Sequence, residues 1–88
     1  MKTALVLIDI QNDYFKGGEN ELVGQEAAAK NAAKILALFR RKNLPVFHVQ
    51  HIATHAGATF FLPNTRGAQI YELVAPLPHE PEIGRAHV

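Results

Sequence analysis

The 88-residue chain contains no cysteine. A disulfide framework, a thiolate metal site and a cysteine nucleophile within these residues are therefore excluded. No aspartate follows Asp13. A phospho-receiver domain carries an acidic cluster at the end of its first strand and its accepting Asp at the end of a later one, so that class is excluded too. Neither common glycine-rich phosphate loop follows the first apolar run, and no run approaches the length that spans a bilayer. Basic residues form no cluster beyond Arg40-Arg41-Lys42, and the net charge is only +1. This argues against a nucleic-acid footprint and gives no reason for a membrane surface. Lys2 precedes too short an apolar stretch for a secretory signal, and no small-residue cleavage site follows it.

What is present fits one small domain at most, of marginal stability on size alone. The chain is organised around Ala4-Leu5-Val6-Leu7-Ile8, which ends at Asp9. The run does not alternate apolar with polar. That pattern predicts a strand covered on both faces, central in a parallel sheet with helices on each side. In such sheets functional groups sit at the carboxyl ends of strands. Asp9 stands there, with Gln11, Asp13 and Phe15 in the loop beyond. A carboxylate at that point has a tunable pKa, as a general base requires. A strand-end Asp that caps the next turn satisfies the same spacing.

Residues 12–24 read as a polar loop turning at Gly17-Gly18, with Leu22 and Val23 as its anchors to the core. A helix is predicted over 25–42, where Ala28, Ala32, Ile35, Leu36 and Phe39 recur at helical spacing as the buried stripe. Arg40, Arg41 and Lys42 favour its dipole, and Asn43 and Pro45 end it. A second strand follows over 46–52. Strand, helix and strand with short connections make a βαβ unit with parallel strands. Residues 53–67 lose the pattern and read as a loop anchored by Phe60-Phe61-Leu62. A short helix is predicted over 68–73. Pro76, Pro78 and Pro81 then lead toward a third strand.

His48, His51 and His55 invite a metal reading. On an extended strand His48 and His51 point to opposite faces, and no nearby Asp or Glu completes a ligand set, so core or strand-end histidines are expected instead. His79 and His87 fit no ligand pattern. An aspartyl-nucleophile phosphatase needs a second Asp two residues after the first. Gln11 stands there and cannot exchange that proton.

The stretch Leu7-Ile8-Asp9-Ile10-Gln11-Asn12-Asp13-Tyr14-Phe15 resembles the opening motif of the isochorismatase-like cysteine hydrolases, a superfamily that includes nicotinamidases and related amidases. The helix end at Asn43-Leu44-Pro45, then Val46-Phe47-His48-Val49, resembles the family as well. So do the segment around Gly67, Ile70 and Leu73, and Pro76-Leu77-Pro78 before the third strand. The resemblance implies the N-terminal part of a three-layer α/β/α sandwich with a parallel sheet, Rossmann-like in kind. It implies a hydrolase of a small amide, imide or related substrate, working through an Asp-Lys-Cys triad. Of that triad only Asp9 stands in this chain, so the chain alone is expected to be inactive. The Lys position falls near Arg85, and Arg does not replace Lys conservatively. Gln11 and Phe15 are expected on the substrate side, as loop-positioning and pocket-wall residues.

No metal and no cofactor are expected. The nicotinamidase-type metal set, an Asp and two His after the second strand, is incomplete, because His51 and His55 occur without the Asp. The expected partner is a small-molecule substrate, with no nucleic acid and no membrane. The full-length protein is expected to be cytoplasmic and homo-oligomeric. Residues 1–82 are expected to be the N-terminal portion of the hydrolase domain and residues 83–88 a non-native tail. The alternative function is a non-catalytic α/β binding or assembly module that never had the Lys and Cys.

Overall fold

The computed structural model describes residues 3–87; Met1, Lys2 and Val88 lie outside the described residues. Strand β1 (Leu5–Ile8) is followed by helix α1 (Gln25–Arg41), strand β2 (Val46–Ala53) and strand β3 (Glu82–His87). The strands form one parallel sheet in the order β1-β2-β3. Leu5 pairs with Val46 and Ile8 with Val49, and His48 pairs with Glu82. The chain is thus α/β with a parallel sheet. Residues 83–87, set apart in the sequence as a tail, lie in β3. Val88 is outside the described residues.

The core lies between the sheet and α1. Leu7, Leu36, Val46 and Val74 are buried together, with Leu5, Ile10, Ala32, Ala33, Phe39 and Ile70 packed around them. Arg40 and Arg41 occupy the last turn of α1, where cations complement the helix dipole. Asn43 is left-handed at φ 55°. Its N–H donates to the Arg40 carbonyl at 3.1 Å, and the Leu44 N–H to the Phe39 carbonyl at 2.9 Å. These two bonds make a Schellman stop with Asn in the glycine position.

Four expectations need correction. Helix α1 buries Ala29 and Leu36, while Ala28 and Ile35 are exposed; the stripe is turned toward the Ala29 side. Leu22 and Val23 are exposed and do not anchor the first loop. Residues 68–73 form no helix of their own. Two short 3-10 helices, Arg66–Ala68 and Glu72–Val74, flank an antiparallel bridge between Ile70 and Gln11. Finally, β1 is not central. It forms one edge of the sheet, and Val6 and Ile8 are exposed, because α1 covers one face only.

Candidate active site

The carboxyl ends of β1 and β2 carry the candidate site. Asp9 ends β1, and its N–H donates to the Val49 carbonyl at 2.9 Å. Its φ is 59°, a left-handed conformation that Asp tolerates better than most residues. The chain turns sharply out of the sheet there, and the half-buried carboxylate stays at the strand end with Oδ1 withdrawn from solvent. Strained backbone of this kind collects at functional sites.

Gln11 is fully buried. Its Oε1 accepts from the His51 N–H at 2.8 Å, and its Nε2 donates to the His51 carbonyl at 2.9 Å. The same Nε2 donates to the Ala68 carbonyl at 2.6 Å, which Gln50 Nε2 also reaches at 2.7 Å. One side-chain amide thus stitches the loop after β1 to β2 and to residues 66–68.

Asp13 organises the next turn. It is buried, and its Oδ2 accepts from the Phe61 N–H at 2.6 Å. Its Oδ1 accepts from the Glu19 N–H at 3.3 Å. Gly67 lies against this carboxylate so closely that a Cβ there would overlap it. Phe61 is buried at φ 57°, and its carbonyl accepts from the Ala53 N–H at 2.8 Å. Its ring meets Tyr14 edge-on with centroids 4.8 Å apart, Phe60 at 5.1 Å and His51 at 5.4 Å. Phe15 is buried and stacks on Tyr71, centroids 3.6 Å apart and planes 2° apart. Phe15 and Tyr71 line a cleft of about 400 Å³ with Asn12, Lys16, Phe60 and Arg66.

The structure therefore places Asp9 at the end of β1, ties Gln11 two residues on to His51 of β2, and puts Phe15 in the wall of a neighbouring cleft that Asp9 does not line. Phe60 and Phe61, expected as the anchor of this loop, pack with Tyr14, and Phe61 with His51, neighbours that no local spacing identifies. The aromatic content of 58–62 was the available signal. His48 faces the other way from His51, into the core, where its Nε2 lies 2.9 Å from Glu80 Oε1. Among the described residues no group of three His, Cys, Asp or Glu side chains is placed to hold a metal.

At the opposite end of the sheet, Arg40 Nε and Nη2 each donate to Glu80 at 2.7 Å. The Leu77 N–H donates to Glu80 at 3.0 Å. The Arg40 hydrogen bonds lower the Glu80 pKa to about 2, against the opposing effect of burial and with help from Leu77 and His48. The same contact raises that of Arg40. This cluster ties α1, β2 and the entry to β3 together.

A parallel α/β sheet with a carboxylate at the carboxyl end of its first strand is an open α/β scaffold of the kind that binds ligands at that edge. The isochorismatase-domain profile matches residues 3–88, and the chain belongs to the isochorismatase family. It is 55% identical over 83 residues to the isochorismatase family protein YddQ of Bacillus subtilis, covering 94% of this chain and 46% of that one. A crystal structure assigned to the isochorismatase hydrolases, from Oleispira antarctica, superposes with a TM-score of 0.92 at 49% identity, over 98% of this chain and 47% of the other. N-carbamoylsarcosine amidase from Thermoplasma acidophilum shares the fold with a TM-score of 0.86 at 21% identity, over 97% and 52%. The chain spans about half the length of the relatives it matches.

Proposed function

We propose that the whole protein is a cysteine hydrolase of small amides, imides or related compounds, with Asp9 as its general base. The observation that carries this reading is the placement of Asp9, left-handed and half-buried where β1 stops. In the mechanism the family resemblance implies, a Cys thiolate attacks the substrate carbonyl carbon. Asp9 takes the thiol proton and returns it to the leaving group, and a Lys stabilises the charged pair. Gln11 acts one step away. Its amide fixes the loop that follows Asp9, and so holds the carboxylate's direction. Phe15, stacked on Tyr71, walls the neighbouring cleft, beside the substrate's approach to Asp9.

The 88-residue chain, without cysteine, is expected to turn over neither nicotinamide nor simple amides above the buffer rate. In the full-length protein Asp9→Asn keeps shape but cannot accept the proton. It is expected to lower kcat by at least the roughly 10²–10⁴ typical of general-base loss, with an unchanged circular dichroism spectrum. Turnover within about tenfold of wild type, a loss of only ~1.4 kcal/mol, would make Asp9 a structural strand-end acid instead.

A further inference from the structure

The cleft walled by Phe15 and Tyr71 lies between two chain segments, residues 12–19 and 59–71, that meet only in the fold. Their spacing is fixed by bonds to the backbone. The Asn12 N–H donates to the Gln69 carbonyl at 3.0 Å, and Asn12 Nδ2 to the Arg66 carbonyl at 2.7 Å. Asp13 Oδ2 accepts from the Phe61 N–H, and the Phe15 ring lies flat on Tyr71. The cleft is thus built into the fold, and its volume of about 400 Å³ is that of a small-ligand site.

Each segment brings one cation to the lining, Lys16 from the first and Arg66 from the second. Among the described residues neither side chain forms an ion pair or a hydrogen bond. The carboxylates nearest to them are engaged with backbone donors instead. Asp13 is buried and gives its oxygens to the N–H groups of Phe61 and Glu19. Glu21 Oε1 accepts from the Gly17 N–H at 3.3 Å. Of the acidic residues that line the cleft, Glu19 is the exposed one, and it opposes the two cations. One positive charge is left in excess, which suits a monoanion better than a phosphate dianion.

The rest of the lining is strongly aromatic. Phe60 and Tyr71 are half-buried, so part of each ring is open to the cleft side of the molecule. The Tyr71 hydroxyl already donates to Glu26 Oε2 at 2.8 Å, and Tyr71 therefore offers a ring rather than a free hydroxyl. Aromatic faces favour a planar partner by offset or edge contact. A guanidinium and an ammonium beside them favour a carboxylate, through charge-assisted hydrogen bonds. The two requirements together describe a flat ring that carries one negative group.

We propose that this cleft is a binding site for a planar aromatic carboxylate, held by Arg66 and Lys16 and packed on the rings of Phe60 and Tyr71. Asp9 does not line the cleft. The site therefore goes beyond the catalytic reading, and a ligand bound there is not at the proposed base.

The test uses the full-length protein carrying Asp9→Asn, so that no probe is hydrolysed during the measurement. Benzoate and benzamide, one ring with and without the charge, are titrated by ligand-observed nuclear magnetic resonance. Benzoate is expected to bind about tenfold tighter than benzamide and to lose that margin as salt is raised. Overhauser contacts from the benzoate ring are expected to Phe60 and Tyr71. Arg66→Gln keeps the backbone carbonyl that Asn12 holds, and is expected to weaken benzoate about tenfold; Arg66→Lys is expected to recover part of that loss. Lys16→Gln is expected to weaken benzoate by a smaller factor, and Glu19→Gln to tighten it. Circular dichroism on every variant is the control for folding. The catalytic reading is judged separately, by turnover of the wild type against Asp9→Asn, and its failure leaves the benzoate result standing. Three results would overturn the proposal: no saturable binding of benzoate, benzamide bound as tightly as benzoate, or benzoate binding that Arg66→Gln leaves unchanged.

Discussion

Gln11 makes a claim that can be tested by one substitution. Its amide is buried and satisfied by backbone groups of His51 and Ala68. Replacement by Leu keeps the volume and strands the His51 N–H and carbonyl; Ala68 keeps its bond from Gln50. Orphaned buried groups cost about 1–3 kcal/mol each, so Gln11→Leu is expected to destabilise the chain by about 2–6 kcal/mol. Amide exchange should show it as faster loss of protection at His51 than at Val49. Glu80 makes a second claim. Its pKa falls from 4.5 in the unfolded chain to about 2 in the fold, chiefly through the Arg40 hydrogen bonds. A depressed carboxylate contributes stability that is complete above about pH 4.5 and disappears as pH falls toward 2. Glu80→Gln leaves Arg40 and His48 without their anion. Removing one member of a buried pair costs about 3–5 kcal/mol; the low end applies, because the Arg40 side chain is 27% exposed. Urea midpoints of wild type and Glu80→Gln should therefore differ at pH 7 and converge as pH approaches 2.

At the scale of elements, α1 separates what a sequence states from what packing decides. Its existence and both ends were legible, because alanine-rich periodicity, the terminal cations and Asn43-Leu44-Pro45 are local signals. Its buried face was not. Ala28 and Ala29 are equally small, and only contact with the sheet chooses between them. Ala29→Leu is expected to overpack the α1–sheet interface and cost about 1–3 kcal/mol. Ala28→Leu, at an exposed site, is expected to stay within about 0.5 kcal/mol. Thermal melts of the two variants distinguish the faces directly. The same limit explains the candidate site. Asp9 was legible because an apolar run stops at it. The Asp13–Phe61 bond and the Arg40–Glu80–His48 cluster join residues 32 to 48 positions apart, and no local period encodes such pairs. Gly67 likewise reads as a loop residue until the Asp13 carboxylate is placed against it.

At the scale of the molecule, the sequence and the structure disagree about β1 in an informative way. Five apolar residues in a row ask for cover on both faces, and the fold supplies it on one. The pattern states a requirement for cover that the described residues meet on one face only. An unmet requirement has a physical consequence. Water in contact with Val6, Ile8 and Ile83 costs free energy at roughly 25 cal/mol per Å² of apolar surface, and any surface that removes it is favoured. In solution by itself, the chain should bind a hydrophobic dye such as ANS. Its sedimentation should show association that rises with concentration, since a flat parallel edge beside an apolar face offers two ways to pair. Ile8→Lys places a charge in the centre of the patch, next to the edge, where desolvation opposes any such contact. It is expected to reduce both the dye signal and the association, while the far-ultraviolet helix signal of α1 is preserved. A sharp cooperative melt of a strictly monomeric wild-type chain, with no dye binding, would mean that the open face is tolerated as it stands. The apolar run of β1 would then reflect strand propensity rather than a covered position.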